Sequence, residues 1–466
     1  MCAMIPSRSL GEVYCEAEGV RKSNLKSFSD QIVADIYGNA EQITKQVLSK
    51  KGSQRISFDQ TIDNLVTSKW LGYPLMILLL IGVFWITIEG ANIPSAFLAT
   101  GLFAFQDQLT LWFQWLGAPD WVHGVLVLGV YRTLAWVVAV MLPPMAIFFP
   151  LFTLLEDSGY LPRIAFNLDH IFKKARACGK QSLTMCMGFG CNAAGVTSCR
   201  IIDSPRERLI AILTNNFVPC NGRFPTLIAI SSIFIGGTIA AYSGLINALV
   251  LSIIILLGVG ATLSISWLLS MTILKGEPSS LVLELPSYRR PKIGAVIYRS
   301  MIDRTLFVLR RAIIIAAPAG GVIWILANVS VGELSILSTV AQALNPLGHL
   351  IGLDGFILMA FILGLPANEI VLPILIMSYL STGALQDYAS LEELRNVLVN
   401  HGWTWLTAVN VMLFSLLHWP CATTLLTTYK ETGSKKWVFL SFLIPTIIGI
   451  SVCFILTQVV RLLGLV

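Results

Sequence analysis

Leu71 to Ile88 and Ala248 to Leu274 are unbroken apolar runs close to the roughly 20 residues that a helix needs to cross about 30 Å of hydrocarbon. A chain built around such runs folds with the bilayer as its solvent. In lipid, only helices and closed barrels satisfy every backbone polar group, and runs of this length are helical. The composition agrees: 55% of the 466 residues are apolar and 12% are charged, with a mean hydropathy of +0.74, outside the range of a soluble chain of this size. The expected fold class is an all-α polytopic membrane protein. Met1 to Lys69 is polar, mixed in charge and without the apolar h-region of a signal peptide, so it is expected to stay in the cytosol as a short helical segment, residues 1–68, ahead of a transmembrane domain, residues 69–466. The net charge of +6 does not point to nucleic acid, because Lys and Arg cluster beside apolar spans, where they set orientation. Nine cysteines without the paired spacing of a zinc ribbon, several inside apolar segments, argue against a disulfide framework.

Charge distribution assigns sides. Basic residues mark Lys45 to Lys69, Arg163 to Lys180, Arg200 to Arg208, Lys275 to Arg311 and Lys430 to Lys436, whereas Glu89 to Trp121, Gly236 to Asn247 and Asn328 to Asp354 contain no Lys or Arg. The first group is expected inside and the second outside. Trp121 to Pro162 crosses inward but is long for one span and carries Pro143 and Pro144, which predicts a bent or staggered helix pair. Phe28 to Leu48 has Ile32, Ile36, Ile43 and Val47 at helical spacing and reads as an amphipathic docking or linker helix. Ser182 to Cys199 lies between two inside segments and is expected to be re-entrant. Gly355 to Leu380, broken around Pro366, is expected to be re-entrant from the other face. Each is followed by a span interrupted by a Pro-Cys pair, Pro219-Cys220 and Pro420-Cys421. The chain thus repeats itself upside down, and inverted repeats meeting at discontinuous helices point to a transport site near the midplane.

The chemistry sits at those breaks. Gly190-Cys191-Asn192 and Pro219-Cys220-Asn221 each place a thiol where a helix is interrupted. A thiolate suits late first-row metals, and Asn side chains and freed carbonyls add oxygen donors weak enough to release a transported ion. The competing reading of Cys191 and Cys220 is that of small buried residues filling space. In the second half, Leu365-Pro366-Ala367-Asn368-Glu369 takes the place of the first Gly-Cys-Asn element, and Trp419-Pro420-Cys421 that of Pro219-Cys220. Glu369 is costly in an apolar stretch unless it faces a partner or a wet path. A structural hydrogen bond to the neighbouring backbone is the alternative. Glu156 and Asp157, next to Arg163, read as interfacial, and His418, two residues before Pro420, reads as a packing residue that could also ligate metal.

Gly188-Phe189-Gly190-Cys191-Asn192, Val218-Pro219-Cys220-Asn221-Gly222-Arg223-Phe224-Pro225, Glu284-Leu285-Pro286-Ser287-Tyr288 and Pro366-Ala367-Asn368-Glu369, with Asp157 to Arg163, together resemble the membrane portion of the FeoB-type ferrous iron transporters. The resemblance runs from about Phe28 to the C-terminus. It implies two Gate modules, also called nucleoside-recognition domains, at about residues 130–240 and 310–430. It also implies ferrous iron as cargo imported across a bacterial inner membrane, and a metal path lined by Cys191, Cys220 and Cys421, to which the residue reading adds Asn192, Asn368 and Glu369. It implies a small FeoA-like cytosolic partner; a homo-oligomer is left open. Family members normally begin with a GTP-binding domain. This sequence contains no Gly-x-x-x-x-Gly-Lys-Ser/Thr, since Gly179-Lys180-Gln181-Ser182 lacks the upstream glycine and reads as a basic loop, so no GTP site is expected in this chain. Either the G domain is a separate polypeptide or the chain is a truncated product. The other function classes are a Gate protein with a regulatory or structural role and a membrane enzyme. The enzyme lacks paired carboxylates on one face and a zincin-type His pair among its five histidines.

Overall fold

The computed structural model describes residues 28–47, 58–68, 70–235, 243–276, 292–332, 334–386 and 391–464. The Glu284 to Tyr288 motif falls outside the described residues. The described residues are helical almost throughout, with one two-residue β-ladder among them pairing Ser330–Val331 with Leu334–Ser335. Among the described residues six helices are long and apolar enough to cross a membrane.

Helix α1 (Phe28–Val47) is the expected amphipathic helix, and α2 (Phe58–Val66) follows it. The Ile32, Ile36, Ile43 and Val47 stripe of α1 is exposed. The next helices are α3 (Gly72–Trp115) and α4 (Asp120–Asp157). One expectation, the bent or staggered pair over Trp121 to Pro162, is corrected here. The helix that carries the Leu71 to Ile88 run does not end with it: α3 continues through Glu89 and Pro94 for 44 residues, about 66 Å at 1.5 Å per residue. It is held as a helix by antiparallel packing on α4, where Tyr131 Oη donates to Leu102 O at 2.9 Å and Phe105 packs on the Tyr131 ring. Nor is α4 a pair. It runs unbroken through Pro143, Pro144 and Pro150, and its irregular turn is the π-helical Gly124–Tyr131. Proline is tolerated inside a membrane helix because neighbouring helices compensate the lost bond.

Helix α5 (Tyr160–Lys174) carries the buried Arg163, which bonds Gly159 O and pairs with Asp63 of α2 at 2.8 Å. Arg163 therefore serves α2. Helices α6 (Lys180–Gly190) and α7 (Asn192–Ser198) form the first re-entrant hairpin, meeting at Cys191. Its mouth is tied by Lys180 to Asp203 at 2.5 Å, and this bond holds the exposed Asp203 carboxyl below its ordinary pKa. Gly179 N donates to Asp169 Oδ1, so Gly179-Lys180 is a capped turn between helices. The first interrupted span is α8 (Pro205–Thr214) and α9 (Phe224–Phe234), and α10 (Ser243–Met271) returns.

Helix α11 (Ile293–Asn328) lies antiparallel to α4. Ser300 bonds Thr153 at 3.0 Å near one end, and near the other a Cβ on Gly320 would stand 2.4 Å from Gly129 O. Small residues let these backbones approach closely, as membrane helices require. The second repeat continues with α12 (Ile336–Leu350), bent by 110° into α13 (Gly355–Leu363), and then α14 (Val371–Leu380). The Tyr379 hydroxyl near the end of α14 bonds Asp354, the N-cap of α13, so this segment also enters and leaves on one face. Since α4 and α11 are antiparallel, the two hairpins open on opposite faces. Helix α15 (Leu391–Asn400) precedes the second interrupted span, α16 (Trp405–Leu417) and α17 (Ala422–Thr432), and α18 (Lys435–Leu462) closes the bundle.

Candidate functional site

Four helix interruptions meet in the interior, and they match in pairs. Cys191 between α6 and α7 is extended at φ −155°, ψ 125°; Ala367, at the corresponding place between α13 and α14, is at φ −155°, ψ 122°. Each is followed by an asparagine, Asn192 or Asn368. Cys220 (φ −83°, ψ 167°) and Cys421 (φ −62°, ψ 158°) are the extended residues that follow Pro219 and Pro420. An extended residue between two helical segments leaves N–H and C=O groups without intrahelical partners, available to whatever lies at the break.

The breaks enclose one cavity. Cys191, Asn192, Cys220, Asn368, Glu369 and Cys421, all six residues singled out in the sequence, line it, together with Met141 and Met145 of α4 and Gly222 after the second break. Asn368 Nδ2 stands 3.9 Å from Cys220 Sγ, and Cys421 Sγ lies 3.3 Å from Thr424 Oγ1. Glu369 presses against Gly222, where a Cβ would come within 2.4 Å of its Oε1. Cys421 is half-buried and the rest of the six are buried. Measured at the centres of water-sized spheres, the space is about 30 Å³, enough for an ion with a water or two. Among the described residues no three His, Cys, Asp or Glu side chains stand close enough to hold a metal ion by themselves. The lining is a mixed set of thiol, thioether, carboxylate and amide groups, not a closed cage. All seven described cysteines are free.

The seam between the repeats is held by a residue that the sequence reading passed over. Arg223 is fully buried; its Nη1 donates to Asn216 O and Leu416 O, both at 2.8 Å, and its Nη2 to Asn216 Oδ1 at 3.0 Å and to His418 O and Trp419 O at 3.4 Å. One guanidinium thereby satisfies carbonyls freed at both interrupted spans. Asn216 Nδ2 adds a bond to His418 O at 2.6 Å. The signal was present: Arg223 is a charge in an apolar stretch, the same ground on which Glu369 was chosen. His418 is a packing residue, with Nδ1 against Phe414 O and Ser415 O and its ring among Phe361, Phe414 and Trp419. Asn215 Nδ2 donates to Asn192 O at 3.0 Å and fills the space that Gly188 and Gly195 leave open, which explains those two glycines of the first motif.

Residues 138–234 and 309–435 match the family model described as nucleoside recognition, Gate, and residues 251–303 match the ferrous iron transport protein B C terminus. Together these cover more than half of the chain. A Fe(2+) transporter FeoB of Staphylococcus aureus is 28% identical over 432 residues, covering 90% of this chain. The chain is similar to the membrane portion of FeoB proteins along most of its length. It spans 62% of the length of that FeoB relative. The FeoB of Methanocaldococcus jannaschii is also 28% identical, over 93% of this chain and 63% of its own. A Porphyromonas gingivalis relative, 25% identical over 92% of this chain and 55% of its own, is named as a fusion of Fe(2+) transport protein A and Fe(2+) transporter FeoB. No solved structure matches this chain.

Proposed function

We propose that the chain carries ferrous iron across a bacterial inner membrane through the cavity at its four helix breaks, with Cys191, Cys220 and Cys421 as soft ligands and Asn192, Asn368 and Glu369 as oxygen donors. The observation that carries this is the convergence of three thiols, an amide pair and one carboxylate, from both halves of the chain, on a space of about 30 Å³. A mixed soft and hard donor set suits a late first-row divalent ion, and an incomplete cage suits an ion that must leave again. The thiol cavity itself, at about 30 Å³, suits an ion and not a nucleoside, since small-molecule pockets run to roughly 300–1,000 Å³. The FeoB relatives support iron as the cargo.

In this reading the chain divides into a connector, residues 1–68, and a transport domain, residues 69–466, with Gate modules at about 130–240 and 310–430. The basic segments put the connector and the mouth of the first hairpin in the cytoplasm and the mouth of the second hairpin outside. Control comes from a G domain acting in trans, for which α1 and α2 are the point of attack, α2 being latched to α5 by Asp63 and Arg163. The P. gingivalis fusion supports a FeoA-like partner. Cys220→Ser keeps the size of the side chain and hardens the ligand, so in proteoliposomes it lowers ferrous iron uptake while the chain inserts normally. Uptake equal to that of the natural chain would mean that Cys220 only fills space.

A further inference from the structure

The thiol cavity does not stand alone. A second and much smaller space, about 10 Å³, adjoins it and shares Met145, Gly190 and Asn221 with it. Beyond that lies a wide cavity of about 430 Å³ between α3, α4 and α9, which shares Pro144 and Asn221 with the small one. Asn221 lines all three. The wide cavity reaches Leu391, at the start of α15. That puts it toward the face on which the second hairpin opens, because the preceding chain is tied there by Asn328 Nδ2 to Gly383 O at 2.6 Å. The three spaces follow one another along shared side chains from that face to the thiols, and the middle one is a neck that holds a single water at most.

The lining of the wide cavity fits a cation that still carries water. Asn92 and Ser95 offer neutral oxygens, and among the described residues no charged side chain lines it. Val140 and Pro144 both face it, one helical turn apart on α4. Proline has no N–H, so the Val140 carbonyl lacks its normal partner at the fourth residue on and is free to turn toward the cavity. Asn221 differs from the other asparagines at the breaks. The side chains of Asn192, Asn215, Asn216 and Asn368 are engaged within the protein, whereas the Asn221 side chain is half-buried and makes no hydrogen bond among the described residues. An amide left unbonded at the junction of three cavities has its oxygen available for something that passes.

We infer that Asn221 is the hand-over ligand that takes a partly hydrated divalent cation from this inlet and delivers it past Met145 to the thiol cavity. The inference rests on the transport reading above. Water is shed in stages: neutral oxygens of the inlet replace part of the hydration shell, the Asn221 amide holds the ion at the neck, and the thiols complete the exchange.

The test uses the full chain in proteoliposomes with ferrous iron under reductant as the probe. A membrane-impermeant maleimide is applied to Ser95→Cys, and its labelling is compared with that of the natural chain. Iron slows labelling at Ser95→Cys; adding Asn221→Ala removes that protection, and adding Cys220→Ser leaves it. In uptake, Asn221→Ala raises the half-saturating iron concentration about ten-fold, the loss of one ligand bond. Asn221→Asp does the opposite, lowering both half-saturation and maximal rate, because a carboxylate holds the ion at the neck. A residue that merely supported the fold would not move the two variants in opposite directions. Labelling indifferent to iron, or an Asn221→Ala variant with natural half-saturation, overturns the inference. Failure of the transport reading looks different: proteoliposomes holding the natural chain would then take up no more ferrous iron than empty vesicles, whatever Asn221 shows.

Discussion

Replacing Arg223 tests whether one buried charge holds the two interrupted spans together. The guanidinium makes three short bonds, at 2.8, 2.8 and 3.0 Å, and two longer ones at 3.4 Å, all to acceptors at the two breaks. Arg223→Met takes that donor from Asn216 O, Leu416 O and Trp419 O, while His418 O keeps Asn216 Nδ2 and Asn216 Oδ1 keeps Asn192 Nδ2. Hydrogen bonds to a charged group contribute about 1.5–3 kcal/mol each, but losing the charge also removes its own burial cost, so the net loss is about 3–5 kcal/mol, the usual result of breaking one side of a buried charged network. Arg223→Lys keeps the charge and loses the fork: an ammonium with three donors at one point reaches one break but not both, and about half of the loss follows. The assay is thermal unfolding of the detergent-solubilised chain, read by the reactivity of its buried thiols. Arg223→Met unfolds about 3–5 °C lower, with Cys220 and Cys421 becoming reactive below the main transition and Arg223→Lys in between. Equal midpoints for Arg223→Met and the natural chain, with both thiols still protected, would refute the reasoning.

Gly222→Ala puts a Cβ 2.4 Å from Glu369 Oε1, which forces the carboxylate aside by about 1 Å; overpacking of about 1–3 kcal/mol is expected, with uptake lowered at least about ten-fold by the misplaced ligand. Uptake unchanged in a chain that inserts normally would remove Glu369 from the account. Asp63→Asn weakens the 2.8 Å pair with buried Arg163 and so frees α2 from α5. Limited proteolysis ahead of α3 then runs faster, and an unchanged cleavage rate would show that the latch is not what holds α2.

What could be read from the sequence was whatever has a local signature. Gly190-Cys191-Asn192 and the two Pro-Cys pairs announce interruptions because proline lacks a donor and glycine relaxes the backbone, and the breaks are where these residues place them. The re-entrant hairpins followed from charge bookkeeping, since a stretch flanked by basic segments on both sides has to return to the same face. The length of α3 was not legible in the same way, because charge assigns a side and says nothing about secondary structure; α3 continues over Glu89 to Trp115 through packing on α4, which lies beyond any local window. Pro143 and Pro144 were overread, as a soluble-protein cost applied to a helix whose neighbours compensate it. The role of Arg223 was illegible for a different reason. Its partners at Leu416, His418 and Trp419 are backbone carbonyls almost 200 residues away, and a carbonyl has no sequence signature.

Iron K-edge X-ray absorption on the full chain loaded anaerobically with ferrous iron tests the central claim most directly. The account predicts sulfur neighbours at about 2.3 Å, the distance seen for metal thiolates, alongside oxygen or nitrogen, with the sulfur contribution reduced in Cys220→Ser. A first shell of oxygen and nitrogen alone, identical in the natural chain and in Cys220→Ser, would contradict it.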